Sequence, residues 1–171
     1  MEAAIQVPLE EYLSTAYDPD VDYDDGVLIE RNVGKEKHSR MEALLPAYIC
    51  NHEKAWGIRG YVEQRIQVAP RRFVVADICA ALASAPKEDI LITPPLFTIE
   101  ILSPDDKFAD VERKAQKYLA MGVEYVWTVD PETGRCWRHD AQNWMMPLPD
   151  SILRVEGTPI EIPIGALMGE L

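Results

Sequence analysis

The chain has 171 residues, of which 47% are hydrophobic and 27% charged, and it carries a net charge of −12 at pH 7. That length and balance suit one domain spanning 1–171 with a sizeable core, and they exclude wholesale disorder and collagen-like structure. No apolar run reaches the roughly 18 residues of a membrane span, so no membrane partner is expected.

The first 15 residues lack the basic and apolar regions of an export signal. Cys50, Cys79 and Cys136 are far apart and form no CxxC pair, so neither a disulfide framework nor a zinc site is expected. A reducing cytoplasm is the expected location.

In chain order, Pro8 and the following LEEYL predict a short opening helix. The acidic stretch 18–25 ends in Asp25-Gly26, a turn signal, and Val27-Leu28-Ile29 begins a strand. Apolar residues at Met41, Leu44, Leu45, Tyr48 and Ile49 predict a helix over 35–56, which Pro46 should kink or split. Residues 61–68 read as a strand with Val62, Ile66 and Val68 on one face. The apolar runs 73–82 and 96–102 read as buried central strands. A helix over 110–121 and a strand over 123–130 follow, with Trp127 packed in the core. The turn Asp130-Pro131-Glu132-Thr133-Gly134 then sends 135–139 back antiparallel. Residues 152–164 add one or two edge strands, limited by Pro159 and Pro163. The whole reads as an α/β domain of mixed α+β character, a mixed sheet flanked by helices.

Charge is unevenly spread. Residues 1–30 hold nine acids and no Lys or Arg, whereas 31–72 hold nine basic residues against four acids. The basic stretch would suit phosphate contacts, or it is a solvated face of mixed sign.

Three charged residues sit where apolar ones belong. Strand alternation puts Asp77 on one face with Phe73, Val75, Cys79 and Ala81, and Glu100 with Leu96, Thr98 and Leu102. A carboxylate inside an apolar strand costs several kcal/mol unless a cation or hydrogen bonds compensate. At roughly 100° per residue, Lys114 falls between Tyr118 and Met121 on the apolar arc that also holds Val111, Ala115 and Leu119. A lysine on the helix is thus aimed at the sheet carrying both acids.

Mg²⁺ takes oxygen ligands, often one or two carboxylates beside substrate phosphate. It can polarise a phosphodiester and lower the pKa of a bound water, while a neighbouring lysine orients that water or stabilises phosphate charge. The set Asp77, Glu100 and Lys114 therefore suits a phosphodiesterase. On the residues alone, a structural Glu100–Lys114 ion pair remains an alternative, as does a Lys114 side chain running past Tyr118 to water.

The succession LEEYL, DYDDG, a helix opening at His38, VVADI, PPLFTIEILSP and DVERKAQKYLAMGVEYVWTVDPETG resembles the large bacterial restriction-endonuclease family of the PD-(D/E)XK nuclease superfamily. The resemblance runs from about Pro8 to Gly134 and is most specific from Pro94 onward. It implies a restriction-endonuclease-like core in which Asp77 and Glu100 are the metal-binding carboxylates. The superfamily's lysine two residues after the glutamate is replaced by Leu102, and Lys114 stands where this family carries its lysine. Asp22 takes the place of a glutamate before the DG turn, an additional metal-site acid. His38 matches a recurrent helix-start histidine, and Ala76 replaces a proline before the aspartate.

The function the resemblance implies is a Mg²⁺-dependent DNA endonuclease, with Mn²⁺ as a substitute, acting as a homodimer on DNA. Asp77, Glu100 and Lys114 are its expected catalytic residues, and Asp77, Glu100 and Asp22 its metal site. The alternative is a catalytically inactive protein of the same fold serving as an oligomerising or binding module, its three buried charges forming a neutralised cluster.

Overall fold

The computed structural model describes residues 6–32, 34–142 and 145–169. The opening helix forms as α1 (Leu9–Ser14), and its Tyr12 is fully buried against Val21, Tyr23 and Phe73. Three residues of the acidic stretch are themselves a strand. β1 (Asp22–Asp24) and β2 (Val27–Ile29) pair antiparallel across Asp25-Gly26. Both turn residues have positive φ, 45° and 100°, the two-residue loop whose twist matches the flanking strands. The buried ring of Tyr23 anchors a segment whose composition otherwise reads as loop.

The long helix α2 (Glu36–Trp56) runs on through Pro46, and the expected split does not occur. Met41, Leu45 and Ile49 are all fully buried on one face of this helix. Burying each is worth about 1.5–3 kcal/mol, enough together to outweigh the roughly 3 kcal/mol an interior proline costs.

The main sheet continues through β3 (Ile58–Ala69), β4 (Arg72–Leu82), β5 (Phe97–Ile101), β6 (Tyr125–Val129), β7 (Cys136–His139) and β8 (Met145–Pro147). Its order is β2-β1-β4-β5-β6-β7-β8, with β3 also paired to β4. Among the strands of the described residues, β5 and β6 alone pair parallel with each other, joined across the sheet by α3 (Phe108–Met121), and Leu91 adds a single parallel bridge to Ile66 on β3. Helix α3 covers one face with Val74, Ala76, Cys79 and Val126, while the other face packs Phe97, Ile99 and Trp127 under α2.

The segment after β8 departs from expectation. β9 (Ile152–Arg154) and β10 (Glu161–Pro163) pair only with each other, as a separate ribbon leading into α4 (Ile164–Met168). Their buried Leu153 and Ile162 join the α2-side core. Among the described residues no ladder joins the ribbon to the main sheet; packing holds it, with the Glu156 N–H also donating to the Tyr125 hydroxyl at 3.1 Å.

Strand alternation slips at Asp77. Val74 and Ala76 face α3, whereas Ile78 and Ala80 face α2, and Cys79 faces α3 again. The expected common face for Phe73, Val75, Asp77, Cys79 and Ala81 is therefore interrupted. β3 slips at the facing position: Ile58 packs on the α2 side and Ile66 on the α3 side. Glu63 between them has φ 47°, and the register places it opposite Asp77. For the same reason Val62, expected to share a face with Ile66, is 47% exposed.

Candidate active site

Val75 lies between the last β4 residue paired to β1, Phe73, and the first paired to β5, Ile78. Side chains take up its backbone groups in place of a strand. Its N–H donates to Asp22 Oδ1 at 2.7 Å, and its carbonyl accepts from Lys114 Nζ at 2.7 Å. This parting of strands opens a cleft of about 520 Å³ lined by Asp22, Arg31, His38, Asp77, Glu100 and Lys114, among others.

Asp77, Glu100 and Asp22 are all buried, 4%, 8% and 8% exposed. Asp77 Oδ2 accepts the Ile101 N–H at 2.8 Å, and Oδ1 accepts from the Arg31 guanidinium. Arg31 also reaches Glu63 at 3.3 Å, so it bridges the two facing positions where the hairpin slips. Glu100 Oε2 accepts from Lys114 Nζ at 2.6 Å, and Oε1 from the Tyr118 hydroxyl at 2.7 Å. Lys114 is thus directed at the sheet rather than past Tyr118 to water. Its place on the apolar arc of α3 comes from helical periodicity, and its partners come from the open edge of β4 and from Glu100 on β5.

Burial pushes the Glu100 carboxyl up from its ordinary 4.5 to about 7, against the pull of Lys114 and helped by the charge on Asp77. Burial opposes the Lys114 charge, yet Glu100, Asp22 and Asp77 hold its ammonium above the ordinary value. The same balance, with Asp77 and Glu100 as the leading carboxylates, raises Arg31. The site therefore carries more negative charge than its cations neutralise. Around the cleft stand the carboxylates of Asp22, Glu30, Glu42, Glu63, Asp77, Glu100, Asp106 and Asp110, against the cations Arg31, Arg113, Lys114 and Lys117. Such a donor set fits hard divalent cations.

Among the described residues, three potential ligand atoms converge in one group. His38, Glu42 and Asp77 present theirs within 4.8 Å of one another. Glu100 lies across the same cleft, and Asp22 is tied to the Val75 N–H. Composition and alternation did not single out Arg31, Glu42 or Tyr118. Glu42 follows His38 by four residues, a same-face spacing that was available as a signal. Tyr118 read as a core residue, and nothing local marks Arg31.

The basic stretch is largely committed to internal contacts. Arg65 pairs with Asp20, Arg71 with Asp25, Arg72 with Asp24 and Lys37 with Glu132. Arg59 donates to the carbonyls of Ala83, Ala85 and Pro86.

Residues 9–151 match the family model described as "Uma2: Putative restriction endonuclease". The chain is also similar to the crystal structure of "a putative nuclease belonging to DUF820" from Anabaena variabilis ATCC 29413. That similarity has a TM-score of 0.81 at 24% identity and covers 95% of this chain and 98% of the other. It shows a shared restriction-endonuclease-like fold. No curated protein gives a significant match.

Proposed function

The chain belongs to the Uma2 restriction-endonuclease family, and from that premise we propose that it is a divalent-metal-dependent endonuclease hydrolysing DNA phosphodiesters. The observation that carries the reading is the convergence of Asp77, Glu100 and Lys114 on one cleft, with Lys114 Nζ 2.6 Å from Glu100 Oε2. Asp77 and Glu100 would hold Mg²⁺ or Mn²⁺, with Asp22 fixing the open edge of β4 beside them. The bound ion supplies Lewis acidity toward the phosphodiester and the attacking water.

The chain's own groups do the rest. Tyr118 and Lys114 fix the two oxygens of Glu100, and the Ile101 N–H fixes one oxygen of Asp77. Lys114 would orient the attacking water and stabilise charge gathering on the phosphate. Arg31, whose fork already spans Glu63 and Asp77, offers donors for a nonbridging phosphate oxygen. We place the protein in the cytoplasm, where its three free thiols stay reduced. Among the described residues, no helix is long and apolar enough to cross a membrane.

The test is nicking of supercoiled plasmid DNA with Mn²⁺. Glu100→Gln and Lys114→Ala should each abolish it with the fold intact, and undiminished cleavage by either variant rejects the assignment. The second reading, an inactive binding module, draws on the pairing of Asp77 with Arg31 and Glu100 with Lys114, which leaves neither acid without a cation. The thermal midpoint separates the two readings. Mg²⁺ or Mn²⁺ raises it in an enzyme but not in its Asp77→Ala variant, and leaves it unmoved in a silent scaffold.

A further inference from the structure

We propose that Arg31 is an exchangeable counter-cation: it holds Asp77 until a divalent ion claims that carboxylate, and it then turns its guanidinium to a DNA phosphate. This role rests on the metal-dependent reading above and adds an order of events, ion first and DNA second.

The four cations lining the cleft are each paired with an acid. Arg31 pairs with Asp77 and Glu63, Arg113 with Asp110, Lys114 with Glu100 and Lys117 with Asp24. Eight carboxylates line the same cleft, so a polyanion meets a negative surface whose cations are already engaged.

Of the two cations on the metal-binding acids, Arg31 is the one free to leave. Lys114 is carried by α3 and also closes the Val75 carbonyl at 2.7 Å, so its departure would strand a backbone acceptor. Arg31 stands between β2 and α2, outside any helix or strand, and its guanidinium donates to the carboxylates of Glu63 and Asp77. Asp77 Oδ2 already accepts the Ile101 N–H at 2.8 Å, which leaves Oδ1, the oxygen Arg31 covers, as the one an ion competes for. A guanidinium and a divalent cation crowded onto one buried carboxylate oxygen repel strongly, so binding of one expels the other.

Glu63 keeps the displaced group at the cleft. Its side chain is 57% exposed, against 6% for Asp77, and its φ of 47° belongs to the slip in β3. Arg31 thus spans from a buried acid to one in water, and on losing Asp77 it remains tethered by Glu63. The planar fork suits carboxylate and phosphate alike, so the donors that leave Asp77 Oδ1 can pass to a nonbridging oxygen.

The experiment compares wild type, Arg31→Met and Arg31→Lys as full chains. Calorimetric titration with Mn²⁺ in the absence of DNA reads ion affinity. Fluorescence anisotropy of a labelled DNA duplex, with and without Ca²⁺, reads DNA affinity. Wild type should bind the duplex only with Ca²⁺ present. Arg31→Met should bind Mn²⁺ about tenfold tighter than wild type, because the ion no longer displaces a like charge. Its Ca²⁺-supported duplex affinity should fall about tenfold, and its salt dependence should drop by about one phosphate contact. Arg31→Lys keeps the charge without the fork; it should fall between the two on both readouts, and it carries the test if Arg31→Met does not fold. A residue that merely supports the fold would lower both affinities together. Mn²⁺ binding that is unchanged or weaker in the variants therefore overturns the proposal, as does undiminished duplex binding. In those outcomes wild type still binds Mn²⁺ and the metal-dependent reading stands, whereas no ion bound by wild type or by Arg31→Met rejects both.

Discussion

Lys114 Nζ lies 2.6 Å from Glu100 Oε2 and 2.7 Å from the Val75 carbonyl, so one helical ammonium closes both a buried ion pair and a gap in a β-ladder. Removing it leaves an uncompensated buried carboxylate and an unpaired carbonyl. Lys114→Met should therefore cost roughly 3–5 kcal/mol at pH 8. The loss should shrink at pH 5.5, because Glu100 is then protonated and needs no cation. Urea unfolding at both pH values measures this, and an equal loss at both would contradict it. Glu100→Gln added to Lys114→Met should restore most of the stability.

The ionisation of Glu100 also sets how metal affinity varies with pH. Its folded value, about 7, lies above the ordinary 4.5, so the folded state binds the extra proton between those limits. In the metal-free protein, stability contributed by this group is present below 4.5 and lost as pH rises through about 7. A cation must displace the proton. Mn²⁺ affinity should therefore rise by up to about tenfold per pH unit below 7 and level off above it. Calorimetric titration in buffers of different ionisation enthalpy should count close to one proton released at pH 6. A pH-independent affinity would show that Glu100 is not a ligand.

Tyr118 is fully buried and donates to Glu100 Oε1 at 2.7 Å. Tyr118→Phe keeps the ring and removes only that donor. The chain should still fold, at a cost of about 1–3 kcal/mol. Mn²⁺ affinity should fall about 10–100-fold, the usual effect of losing a group that orients a ligand. Unchanged affinity would mean that Lys114 alone orients the carboxylate.

His139 supplies an acid sensitivity of opposite sign. It is 2% exposed, with Nε2 2.7 Å from Thr128 Oγ1, and burial pushes it down from 6.5 to about 4. The unfolded chain binds the proton first. Stability from this group is present above 6.5 and lost as pH falls toward 4, about 3 kcal/mol in all. His139→Gln should flatten this limb of the stability profile. If the profile keeps its slope, the acid sensitivity resides elsewhere.

What the sequence determined by itself is periodic. Alternation marked Glu100 as an acid within a buried strand, helical spacing put Lys114 on the inward arc of α3, and Asp25-Gly26 placed the hairpin turn. These signals are local, because the face a side chain takes follows from spacing along one element. Tertiary structure alone decided which elements became neighbours. It brought Arg31 to Asp77 across 46 positions and Asp22 to Val75 across 53. It carried α2 unbroken through Pro46, since the helix is held by the core beneath it rather than by its own propensity. It also set the slip at Glu63 and Asp77, where two strands change faces together. No pattern within either strand encodes that slip, because its cause lies in the pairing of one strand with the other.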